Sequence, residues 1–166
     1  VIGVIAFLFI VALFLPGLPA GNPFGGLFAG SGPGERIGSQ GAEHIGLDDD
    51  HPPYSSVPAT SGWHYAQPLA PARWGVHNDV LPDEVLVHNL EHGGIVIQYS
   101  TENQALITQL QRFAQKQSNF PCFLVVAPYP DMVITVAVTA WGLHDTMDSY
   151  DEERLQEFVD SYRKKG

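Results

Sequence analysis

Residues 84–99, EVLVHNLEHGGIVIQY, decide how the chain is read. At their two ends lie short apolar runs, Val85–Val87 and Ile95–Tyr99, rich in the β-branched residues that strands favour, so both read as strands. Between them His88 and His92 stand at i and i+4. On a helical turn the two imidazoles would share one face within about 6 Å, whereas at about 3.3 Å per residue an extended chain would hold them about 13 Å apart. Gly93 and Gly94 favour the compact form, because glycine readily takes the left-handed conformation that ends a helical turn before a strand begins.

Towards the C-terminus, Thr101–Gln117 carries Leu106, Leu110, Phe113 and Ala114 at helical spacing, and Thr101 with Gln104 fits a capping box. Phe120–Ala127 and Met132–Trp141 are β-branched apolar runs joined through Pro128-Tyr129-Pro130-Asp131, which predicts a hairpin or neighbouring strands. A last helix is predicted from the capping box Ser149 and Glu152, the stripe Leu155, Phe158, Val159 and Tyr162, and the basic end Arg163, Lys164 and Lys165. Towards the N-terminus, His51–Pro82 shows no sustained period and reads as loop packed down by Tyr54, Trp63, Tyr65 and Trp74. The order β-α-β-β-α predicts an α/β (α+β) domain, a small mixed sheet with two packed helices.

That domain is expected to span residues 44–166. Ahead of it, Val1–Leu15 has no polar side chain, and apolar character continues brokenly to Ala20. Residues 1–20 therefore read as a single transmembrane helix, and one truncated at its start, since no basic residue precedes the run. A cleaved signal peptide and a buried core helix are the competing readings. The first basic residue after the run is Arg36, and this lack of nearby positive charge places the following domain outside the cytoplasm, periplasmic or extracellular. Between Pro16 and Glu43, nine Gly and four Pro leave little but turn and coil, so residues 21–43 read as a tether. Its Phe24, Leu27 and Phe28 suit the membrane surface or a neighbouring subunit.

Composition narrows the chemistry. A chain of 166 residues has room for one ordinary domain. A net charge of −10 lacks the basic footprint that a phosphate backbone needs, so nucleic acid is excluded as a partner. A single cysteine, Cys122, rules out an internal disulfide, a CxxC redox pair and a cysteine-based zinc site. Ser61 and Cys122 show no oriented base, so no catalytic residue is assigned and no enzyme is expected. A metal site would rest on histidine, carboxylate or methionine.

His88 and His92 are the first candidate ligands, with His64 brought towards them by the rigid loop Pro58-Ala59-Thr60-Ser61-Gly62-Trp63-His64-Tyr65. His44, Glu91 and Met132 are further candidates. Imidazoles with a thioether make a soft N/S set that suits copper better than zinc or magnesium. In the alternative reading His88, Glu91 and His92 simply form a hydrogen-bonded turn. The five residues His88–His92 also spell H-x-x-E-H, the inverted zinc-protease signature, but that motif belongs on a full helix, and here two glycines follow His92 at once.

The blocks Gly41-Ala42-Glu43-His44-Ile45, Tyr54, Pro58–Tyr65, Trp74-Gly75-Val76, Val87–Gly94 and Thr139-Ala140-Trp141-Gly142 resemble a bacterial family known as a domain of unknown function, DUF3105. The resemblance covers about residues 41 to 165. It implies a membrane-anchored or exported protein, and it matches His64 to the family's loop histidine. His88, Glu91 and His92 match its histidine-x-leucine-glutamate-histidine-glycine core, and His44 the histidine that opens the domain. Two departures, Ala59 where a second proline is common and His77 where tyrosine is frequent, remove no candidate ligand. The expected function is a non-catalytic, membrane-anchored extracytoplasmic domain that binds a copper or zinc ion through its histidines. The alternative is an accessory subunit of a larger respiratory or photosynthetic membrane complex in which the histidines are structural.

Overall fold

Ile95–Tyr99 is the strand its β-branched run predicts, and it runs through the middle of a six-stranded mixed sheet. A computed structural model describes residues 32–165; the expected transmembrane segment 1–20 and the start of the tether lie outside them. Among the described residues no helix is long and apolar enough to cross a membrane. In chain order the elements are β1 (Glu35–Arg36), β2 (His44–Ile45), β3 (His64–Tyr65), β4 (Gly75–Val76), α1 (Asp83–Glu91), β5 (Ile95–Tyr99), α2 (Gln104–Lys116), β6 (Leu124–Pro128), β7 (Val136–Ala140), β8 (Leu143–Met147) and α3 (Glu152–Tyr162). The main sheet has the order β1-β8-β7-β5-β6-β4, and β2 pairs with β3 in a separate two-stranded ribbon.

The strand period explains how both faces are covered. Ile95, Ile97 and Tyr99 join Leu124, Val126, Val136 and Val138 under α2 and α3, whose Leu110, Phe113, Leu155 and Phe158 fill that side. The alternate residues Val96, Val125 and Ala127 face Leu86 and Leu90 of α1. Strands covered on both faces read as continuous apolar runs, and this is why β5 and β6 were legible.

Four expectations change. Val85–Val87 belongs to α1, not to a strand. Valine disfavours a helix by only a few tenths of a kcal/mol, while Leu86, Val87 and Leu90 bury almost completely, Leu86 and Leu90 against the sheet, and Asp83 and Glu84 suit the helix N-terminus. The domain thus has three helices among the described residues rather than two. Next, β6 and β7 are neither a hairpin nor neighbours, because β5 lies between them. The chain leaves β6, crosses the end of β5 and returns on its other side, as Tyr129 N–H to Tyr99 O (2.8 Å) and Ser100 N–H to Thr135 O (2.9 Å) record. The hairpin is β7–β8, turned at Trp141-Gly142 with Gly142 at φ 66°, and β8 was not expected at all. Finally, the helix caps fall two residues later than proposed: Asn103 caps α2 and Asp151 caps α3.

The end of α1 follows expectation. Gly93 has φ 78°, its N–H donates to Leu90 O at 2.9 Å, and Gly94 N–H donates to Asn89 O at 2.9 Å, the double closure of a Schellman motif. Gly94 has no room for a side chain, since a Cβ there would lie 2.6 Å from both Asn89 O and the Trp74 ring. The helix therefore stops abruptly at His92, and β5 begins three residues later, at Ile95.

Candidate metal centre

Three separate segments bring polar groups to the outer face of α1. His88 and Glu91 stand at i and i+3, so their side chains share a helix face, and α1 packs that face region against β3. Parallel pairing of β2 with β3 sets His44 directly opposite His64. As a result one donor atom each from His44, His64, His88 and Glu91 lies within 4.8 Å of all the others.

The ring geometry fits a metal. Ring centres are 4.5 Å apart for His44 and His64, 5.3 Å for His44 and His88, and 5.2 Å for His64 and His88. Three imidazoles on one tetrahedral ion, with metal–nitrogen bonds of about 2.0–2.1 Å, place their ring centres about 5 Å apart. The site is half open: His64 is fully buried, whereas the His44 and Glu91 side chains are 48% and 31% exposed.

Donor accounting points the same way. His64 Nδ1 donates to Gly62 O at 2.8 Å and His88 Nδ1 to Tyr65 O at 2.7 Å, because a carbonyl oxygen can only accept. In each neutral ring this leaves the lone pair on Nε2. His64 Nε2 then faces Glu91 Oε2 at 3.2 Å, with His44 Nε2 3.9 Å from the same oxygen. Two facing acceptors repel unless a cation, a proton or a metal ion, lies between them. Nδ1 hydrogen-bonded to backbone with Nε2 turned inward is the usual outer arrangement around metal-bound histidine. Burial pushes the His88 imidazole below the usual histidine range; the Tyr65 carbonyl opposes this, and the His92 and His64 rings add to it. A neutral ring is the ligand form.

The remaining candidates lie elsewhere. His92 is exposed at the end of α1, with its ring 4.8 Å from that of His88, and stands beside the group of four rather than within it. The i, i+4 spacing foresaw the neighbourhood of the two rings but not that His44 and Glu91 would complete the set. Met132 is buried in the turn after β6. That turn starts at Tyr129, which bonds the last residue of β5, while His92 precedes the first. The length of β5, roughly 13 Å at about 3.3 Å per residue, separates the two ends. The N/S ligand argument for copper therefore loses its thioether.

Sequence reading missed the groups that orient the ligands. Gly62, at φ 115°, presents the carbonyl that receives His64, and glycine two residues before the histidine was the available signal. Asn89, fully buried on α1, accepts from Ala72 N–H at 2.9 Å and donates to Ala72 O at 3.0 Å, which clamps the aromatic loop to the helix. Tyr129 donates to Asp83 at 2.9 Å at the other end of α1. Burial raises the Asp83 carboxyl above its usual range, against the Tyr129 hydroxyl and the Ala59 N–H.

No curated protein and no solved structure matches the chain. The family model described as a protein of unknown function, DUF3105, matches residues 48–166, so that three of the four converging donors fall inside it and His44 just ahead of it. By this match the chain belongs to the DUF3105 family.

Proposed function

We propose that this domain holds one first-row divalent metal ion through His44, His64, His88 and Glu91. The single observation that carries the reading is the facing of His64 Nε2 and Glu91 Oε2 while His64 Nδ1 is committed to a backbone carbonyl. With the rings neutral, three imidazoles and one carboxylate carry one negative charge and suit zinc or copper(II); at a given N/O site copper(II) binds more tightly. The domain acts as a metal carrier or a metal-stabilised module, held outside the cytoplasm by the apolar segment at residues 1–20, which supports membrane anchoring.

Elemental analysis of the full chain, purified in detergent without added metal or chelator, tests this together with His64→Ala and His88→Ala. The expected result is about one zinc or copper per chain, lost in both variants, with an affinity drop beyond the 10–100-fold typical of an outer-sphere partner. Equal metal content in wild type and variants overturns the reading. A metal-free chain eluting in a large assembly would favour the accessory-subunit role instead.

A further inference from the structure

The four donors are not equally anchored. His88 and Glu91 sit on a helix packed against the sheet, and His64 is fully buried beside them. His44 comes from a surface arm. From residue 38 to residue 50 no side chain is buried; only Gln40 and Ile45 are half-covered, and the rest are exposed. A Cβ added at Gly38 or Gly41 would meet no atom within 4 Å. The arm is tied down by a few polar links: Gly62 N–H to Gly41 O (2.9 Å), His64 N–H to Glu43 O (3.0 Å), Gln40 N–H to Ser61 Oγ (3.0 Å), and the Gln40 side chain to Pro53 O and Ser55 N–H (3.0 and 2.7 Å). Segments held by exposed hydrogen bonds without buried apolar contact open at far lower cost than the core.

From this asymmetry we infer that the ion is a latch: bound by His64, His88 and Glu91 on the body and by His44 on the arm, it clamps shut the arm that runs between β1, anchored on β8, and β3. The inference rests on the proposed metal site. Coupling of this kind is reciprocal, so arm docking tightens metal binding by the same factor by which metal tightens docking. The body retains three ligands when the arm lifts, which makes release of the arm a route to a more open, exchangeable site.

Hydrogen–deuterium exchange of the full chain in detergent, with and without Zn²⁺ as the only added metal, tests the latch. Saturating Zn²⁺ is expected to slow exchange across residues 38–46 at least tenfold. His44→Ala should still bind one Zn²⁺, about 10–100-fold more weakly, and at saturation should show no slowing across 38–46. Exchange in Ile95–Tyr99 serves as the folding control for the variant. A wild-type chain that binds one Zn²⁺ without slowing of 38–46 overturns the latch and leaves the metal site standing, as does a His44→Ala chain slowed like wild type. A chain that takes up no Zn²⁺ overturns the proposed function, and the latch with it.

Discussion

Every residue of β5 and β7 is buried, whereas none of residues 38–50 is, yet both regions supply something the domain needs. The sheet is held by non-directional burial, which tolerates exchange among residues of similar size and is spread over many side chains. The histidine group is held by direction: two imidazoles are each aimed by one backbone carbonyl, and a third arrives on a two-residue strand. Stability and ligand placement are thus assigned to different parts of the molecule, and substitutions should separate them.

The largest expected effect lies on the sheet side. Phe158→Ala, in the cluster under α3, should cost about 3–5 kcal/mol in denaturant unfolding, while the folded fraction keeps its Zn²⁺ affinity within threefold. A joint loss of affinity would break the separation. Asn89→Ala comes next, because Asn89 joins the two regions: it leaves Ala72 N–H without its acceptor and should cost about 2–3 kcal/mol in the same assay. Metal binding should weaken less there than in His64→Ala. Met132→Leu sharpens the comparison from the other direction, with a stability change under about 1.5 kcal/mol and unchanged metal content.

The smallest effect is a pH dependence with opposite signs at two histidines. Burial holds His144 below the usual histidine range, against the Asp145 and Glu35 carboxylates. The unfolded chain therefore takes up a proton before the folded one does, and stability falls as pH drops below about 6.5 towards the folded value. Burial also pulls His51 down, but the Pro52 carbonyl and the Glu84 carboxylate outweigh it and leave that ring above its usual value. Its contribution is complete below about 6.5 and is lost as pH rises through the folded value. Urea midpoints of the metal-free protein between pH 5 and 8 should show His144→Gln flattening the acid side and His51→Gln the neutral side. The same slope in both variants would contradict the assignment.

What could be read in advance followed from periodicity. α2 and α3 repeat their apolar residues over enough length to declare themselves, β5 does so as an unbroken β-branched run, and Leu106, Leu110, Phe113, Leu155 and Phe158 are buried where the helical pattern put them. α1 was misread at its start because Val85-Leu86-Val87 is too short to show a period; only Leu90 completes the helical face. β8 was missed because its inward positions are Leu143, Asp145 and Met147, and a buried aspartate, paired with Arg154, breaks the apolar alternation. At the site, the glycine pair after His92 correctly announced a helical turn. The pairing of His44 with His64 depends on contacts between two-residue strands, which leave no repeating signal in a sequence.

One small contact gives the helix–strand corner a second use. Lys164 N–H donates to Gly93 O at 2.7 Å, so the second residue after α3 is stapled to the turn that directly follows the histidine-bearing helix. The backbone there forms a built-in antenna for the site. A paramagnetic ion such as copper(II) seated among the histidines would broaden the amide resonance of Lys164 more than that of Tyr99, at the far end of β5. By the same token, a polyhistidine tag appended after α3 would set foreign imidazoles beside the native ones, so purification tags belong elsewhere on the molecule.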